Sequence, residues 1–172
     1  MAQEIPTAQR TLRLSAFSGI TGSHIGLASG RNLGITAGAD AGFRQILHVN
    51  PAIEVRGTHV IDKGSVAGEN NVLGGLRIGR AFGRLHPYGD ILAGFGQIYY
   101  NGNGYPTPDG SLIYKASHSM VLSPGGGVDI AMGNRFSLKV DLQWQRYGTP
   151  VTESGHMYTT AGTAGIVYHF NF

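Results

Sequence analysis

The chain has 172 residues, enough for one domain with its own core. Only 13% of them are charged, the net charge is +3 and there is no cysteine, which excludes disulfides and thiolate metal centres; no basic run interleaved with aromatics supports nucleic-acid binding. No stretch approaches the about 18 uninterrupted apolar residues of a membrane-crossing helix, whereas 28 glycines and apolar residues spaced one in two point to antiparallel β structure.

Residues 1–9 carry no charged segment followed by an apolar run, so they read as a flexible tail, with a cleaved signal expected in the precursor. Residues 10–172 read as one domain of eight alternating segments, because period-two alternation puts successive side chains on opposite faces of a strand. In residues 10–22, Leu12, Leu14, Ala16 and Ile20 oppose Arg13, Ser15 and Phe17. In 33–43, Leu33, Ile35, Ala37, Ala39, Ala41 and Phe43 oppose Gly34, Thr36, Gly38, Asp40 and Gly42. In 50–61, Ile53 and Val55 oppose Glu54 and Arg56. In 71–82, Val72, Leu76, Ile78 and Phe82 oppose Leu73, Gly75, Arg77 and Gly79.

In 88–99, Ile91, Ala93, Phe95 and Tyr99 oppose Asp90, Leu92, Gly94 and Gly96. In 120–132, Met120, Leu122, Val128 and Ile130 oppose Val121, Ser123, Gly125, Gly127 and Asp129, with Pro124 marking a bulge or irregular edge. In 136–147, Phe136, Leu138, Val140, Leu142 and Trp144 oppose Ser137, Lys139, Asp141, Gln143 and Gln145. In 162–172, Ile166, Tyr168, Phe170 and Phe172 share one face and His169 takes the other. The connections alternate: 21–32, 62–70, 100–117 and 148–156 are long and polar, while 44–49, 83–87 and 133–135 are short.

One face collects the mid-strand charges: Arg13, Asp40, Glu54, Arg56, Arg77, Asp90, Asp129, Lys139 and Asp141. That charged face is also rich in glycine, which weakens an exposed strand but makes room inside a narrow barrel. Aromatics gather near the ends of the apolar face: Phe43, Phe82 and Phe136 at the short-turn end, Tyr99 and Trp144 towards the long-loop end, as in the aromatic girdles of a membrane interface. The expected fold is therefore all-β: an eight-stranded antiparallel up-and-down transmembrane β-barrel with its apolar face outward, rather than a water-soluble barrel with that face inward. Since every backbone amide in hydrocarbon needs a partner, the first and eighth segments should pair.

With these residues in view, the chain resembles the small eight-stranded bacterial outer-membrane barrels of the OmpA transmembrane-domain and OmpX kind, over residues 10–172. The most specific part is the ending Tyr168-x-Phe170-x-Phe172, which looks like the C-terminal signal read by the barrel-assembly machinery. The strand at 33–43, with the loop before it, also looks like this family. The resemblance implies a bacterial outer-membrane location with periplasmic termini and extracellular loops, lipid and the assembly machinery as partners, and a lumen plugged by the charged residues in near balance of sign. No appended peptidoglycan-binding domain is expected.

The expected role is structural, with loops exposed at the surface. A small or dynamic pore, an adhesin or self-assembling surface protein, and a lipid-modifying enzyme are the alternatives. No catalytic, cofactor or metal residues stand out. The seven histidines are scattered, and in Ser117-His118-Ser119 the imidazole points away from both hydroxyls. Arg44, Arg80, Arg84 and Arg135, near the short turns, suit solvated turns or phospholipid headgroups.

Overall fold

The computed structural model describes residues 12–170. The tail at 1–9, the expected strand start at residue 10 and Phe172 lie outside them. Ten strands follow one another: β1 (Arg13–Ile25), β2 (Arg31–Gly42), β3 (Asn50–Asp62), β4 (Ala67–Gly79), β5 (Leu85–Tyr100), β6 (Tyr105–Pro106), β7 (Ile113–Tyr114), β8 (Ala116–Ala131), β9 (Phe136–Gly148) and β10 (His156–His169). Eight of them close a barrel in the order β1-β10-β9-β8-β5-β4-β3-β2, every pair antiparallel; β6 and β7 form a separate small hairpin. The seam is complete, because β1 pairs with β10 from Ser15↔His169 to Ile25↔Thr159.

Strand parity sorts the side chains. Outward lie Ile35, Val55, Val72, Phe95, Leu142 and Trp144, all exposed; inward lie Glu54, Arg56, Lys139 and Asp141, all buried. Pro124 pairs with Ile91 on β5, but the ladder to β9 skips Ser123 and Pro124, where proline has no N–H to give. A second irregularity sits between Leu33 and Gly34, where β2 meets β3.

The alternation of long and short connections is not what the chain adopts. At the loop end the connections are 26–30, 63–66, 101–115 and 149–155; at the turn end they are 43–49, 80–84 and 132–135. Only 101–115 is long. The strands run further than the polar stretches suggest because the two faces exchange character near the loop end. There the inward positions become apolar (Ile25, Ala67, Ile98, Tyr100, Met157), while the outward ones become polar (His24, Arg31, His118, Arg146). The period of two persists while its chemistry inverts, so strand ends read as loops.

Inward glycines face the bulkiest inward side chains. A Cβ on Gly96 would lie 2.5 Å from Tyr147 Cε1 and 2.6 Å from Val121 Cγ2; one on Gly38 would lie 2.5 Å from Phe17 Cζ, and one on Gly127 2.7 Å from the Tyr88 hydroxyl. The room that glycine makes is thus filled by rings as well as by charges. Gly96→Val should lower stability by about 1–3 kcal/mol through overpacking, read as the urea midpoint of the refolded barrel. Gly22→Ala, where a Cβ meets open space, should stay within about 0.5 kcal/mol of the parent.

Candidate functional site

The inward face concentrates charged and hydrogen-bonding side chains. Towards the turn end the side chains form an ionic layer. The Arg56 guanidinium pairs with Glu54 and grips Asp141 with two nitrogens, at 2.6 and 3.2 Å, while Asp90 lies 3.6 Å away. Arg77 pairs with Asp129 and with Asp40 (3.1 Å) and approaches Glu54 at 3.6 Å. The Lys139 ammonium, wholly buried, stands 3.7 Å from Glu54. Glu54 therefore touches all three lumen cations and ties β3 to β4 and β9.

Aromatic rings complete this layer. The Tyr88 ring has Arg77 at 3.6 Å from its centroid and Lys139 at 4.5 Å. Phe17 receives Lys139 at 4.2 Å and Arg56 at 5.6 Å. Each contact places a desolvated cation over the negative face of a ring. The Tyr88 hydroxyl also donates to Asp141 at 2.8 Å.

Of the nine charged residues that strand parity singles out, the structure joins eight through ion pairs: Asp40, Glu54, Arg56, Arg77, Asp90, Asp129, Lys139 and Asp141. Arg13 does not join them. It sits at the first position of β1, exposed on the rim of a vestibule of about 640 Å³ that opens at the turn end. The near balance of sign expected for the lumen is also corrected, since three cations face these five carboxylates and Glu69 adds a sixth. Neutral donors supply the rest: Gln143 Nε2 donates to Asp90 (2.9 Å), Ser15 to Asp40 (3.3 Å) and Thr159 to Glu69 (2.8 Å).

Towards the loop end the lumen turns neutral and then apolar. Hydroxyls of Thr21, Thr36, Thr58 and Thr163 link β10, β1, β2 and β3 at 2.6–2.8 Å. Asn71 donates to Tyr147 (2.7 Å) and Gln145 (3.2 Å). Beyond them Ile25, Leu27, Ala67, Ile98, Tyr100, Val151 and Met157 pack into one cluster across the mouth, with Tyr105 and Tyr114 of the β6–β7 hairpin against it. The long connection thus folds over the barrel. Its tip is set by Asp109, whose carboxyl, held by hydrogen bonds from Thr107 and Ser111, falls to about 2.

The remaining predicted residues lie on the wall. Phe43, Phe82 and Phe136 are exposed towards the turn end, and Trp144 is exposed and Tyr99 half-buried towards the loop end. Tyr168 packs against Phe136 and Phe170, with ring centroids 5.3 and 5.0 Å apart. Ser117 and Ser119 point inward, to Tyr100 and to the Gly148 N–H, while His118 points outward. The structure does join another hydroxyl and imidazole: His169 Nε2 lies 2.9 Å from Ser137 Oγ, but Ser137 is buried. Among the described residues no group of three or more His, Asp or Glu is placed to hold a metal ion.

Sequence reasoning misses Glu69 and Tyr88, and places Gln143 on the charged face without giving it a part in the network. Glu69 shares parity with Asn71, Leu73 and Arg77 on β4, the signal that would have found it had that strand been started earlier. Tyr88 and Gln143 share parity with Asp90 and Asp141, but a tyrosine and an amide carry no charge to draw attention.

No protein-family model and no curated protein sequence matches the chain. Solved structures do. Neisserial surface protein A, NspA, is 16% identical, with a TM-score of 0.56, over 92% of this chain and 97% of that one. Ail, the attachment invasion locus protein of Yersinia pestis, solved with the heparin analogue sucrose octasulfate, is 13% identical, with a TM-score of 0.57, over 93% and 99%. The outer membrane enzyme PagL is 16% identical, with a TM-score of 0.50, over 91% and 99%. The chain has the closed eight-stranded barrel fold of these outer-membrane proteins, a fold that one enzyme among them also uses.

Reversing a charge at the centre of the ionic layer should be costly. Glu54→Lys and Arg77→Glu are each expected to lower stability by about 3–5 kcal/mol, as when one partner of a buried pair is lost. Arg13→Glu should change it by less than about 0.5 kcal/mol. Urea unfolding of the refolded variants reads all three, and unchanged midpoints for the first two would contradict the ionic layer.

Proposed function

We propose that this chain is a structural barrel of a bacterial outer membrane, sealed to solutes, with its turn end in the periplasm and its loop end at the cell surface. The distribution of side chains about the wall carries this reading. Phe95 is 75% exposed and Trp144 64%, whereas Glu54 and Lys139 are 0% exposed. A water-soluble barrel would reverse that order, because burying charge while exposing a continuous apolar wall is favourable only where hydrocarbon surrounds the wall.

The sealed lumen favours a structural role over a pore. The vestibule at the turn end stops at the ionic layer, and the apolar cluster under the β6–β7 hairpin occupies the opposite mouth. The orientation is supported by the one long connection at the loop end and by exposed arginines in the turns at the other. Arg44, Arg80, Arg84 and Arg135 there suit phosphate headgroups of the inner leaflet. Tyr168 and Phe170, packed edge to face on the outer wall, are the residues through which the assembly machinery would recognise β10.

The single tryptophan tests this reading. In vesicles of lipids brominated along the acyl chain, Trp144 fluorescence should fall strongly, while water-borne acrylamide should quench it weakly. The same vesicles should retain entrapped small ions. Quenching by acrylamide but not by bromine would overturn the membrane location, and rapid ion release would overturn the sealed lumen.

A further inference from the structure

The outer wall, apolar over much of its height, turns polar towards the loop end, and there some of its polar side chains border an apolar groove. Across β2, β3, β4, β5 and β8, towards the loop end, a groove of about 730 Å³ runs over a floor of Ala37 and Gly57 between Ile35, Val72 and Phe95. A Cβ on Gly57 would have nothing nearer than 3.6 Å, so the small residue leaves the floor open. The groove ends at a polar row: His59, Asn70, Gln97 and His118 all line it. Asn70 and Gln97 are cross-strand partners, as are Gln97 and His118.

Part of this row is connected to further side chains, while Asn70 accepts the Val60 N–H. Gln97 Nε2 and His118 Nε2 are 3.1 Å apart, and the Tyr99 hydroxyl donates to Gln97 Oε1. The Lys63 ammonium lies 5.1 Å from the centre of the Tyr99 ring. Lys63 reaches it across Gly68, where a Cβ would come within 2.8 Å of its Cγ. Asp62, next to Lys63 in the chain, accepts the N–H of Gly64 within its own turn. Another groove of the outer wall, about 920 Å³ over Gly22, Gly126 and Gly162, is lined by no histidine, lysine or arginine.

We propose that this groove seats one acyl chain of a phosphorylated, multiply acylated lipid of the loop-end leaflet, and that Lys63, His59 and His118 take its phosphate. The inference rests on the membrane reading above. An apolar trough that ends in donors and a cation matches a lipid with one end apolar and the other anionic. A wall that met only hydrocarbon would gain nothing from a lysine laid along it, because polar groups in that environment are costly unless paired.

Native mass spectrometry of the refolded barrel in mild detergent tests this, with diphosphoryl lipid A as the probe and its phosphate-free form as comparison. The phosphorylated lipid should bind about tenfold more tightly, the effect of one charge-assisted hydrogen bond. Lys63→Ala combined with His118→Ala should lose that preference. Gly57→Leu, which fills the floor and leaves every charge in place, should weaken both lipids. Arg146→Gln, which removes an exposed loop-end cation away from the groove, should bind as the parent does. Equal binding of the two lipids by the parent, undiminished binding by the double variant, or an equal loss in Arg146→Gln would overturn the proposal. Bromine quenching of Trp144 in the same variants reports the membrane reading separately.

Discussion

The wall of this protein has no free edge, and everything else about it depends on that. The seam between β1 and β10 is paired from Ser15↔His169 to Ile25↔Thr159. In hydrocarbon each unpaired backbone amide or carbonyl costs several kcal/mol, so closure is what allows a sheet to stand there at all. Once the sheet closes, strand parity stops being a local pattern and becomes a global partition. Each residue faces either a narrow interior or the surroundings, and a one-residue slip would exchange every side chain on a strand.

The narrow interior then sets its own terms. Eight strands enclose about enough space for side chains, and that space is divided along the axis. Near the turn end the ionic layer joins strands from around the circumference. Glu54 on β3 meets Arg77 on β4 and Lys139 on β9, and Arg56 reaches Asp141 across the lumen. Such pairs add little net stability relative to apolar filling, but removing one member leaves an uncompensated charge. The layer is thus most sensitive to loss of Glu54, where the cations converge. Near the loop end the Ile25, Tyr100 and Met157 cluster excludes water without any ions.

Much of this was legible in the residues because parity is strict. The alternation of Lys139 and Asp141 with Leu138, Val140 and Leu142 on β9 places each of them on its observed side. The loop end was less legible, because there the faces trade chemistry. His24, Arg31 and His118 face outward and Ile25 and Tyr100 inward, so polar strand ends look like loops and Glu69 was lost with them. The filling of the lumen by Phe17, Tyr88 and Tyr147 opposite Gly38, Gly127 and Gly96 depends on which residues meet across strands. No single strand contains that information. Arg13 has the right parity but lies at the strand's first position, where parity no longer means burial.

The partition of β9 tests the account most directly. The chain contains no cysteine, so single spin labels can be placed without background. With Leu138→Cys, Val140→Cys and Leu142→Cys as outward sites and Ser137→Cys and Gln145→Cys as inward ones, label collision with oxygen and with a water-soluble nickel chelate is compared in lipid vesicles. Oxygen should dominate at the three outward sites and drop at the two inward ones, following the period of two. Nickel dominating at the outward sites, or accessibility without alternation, would contradict a barrel that turns its apolar face to lipid.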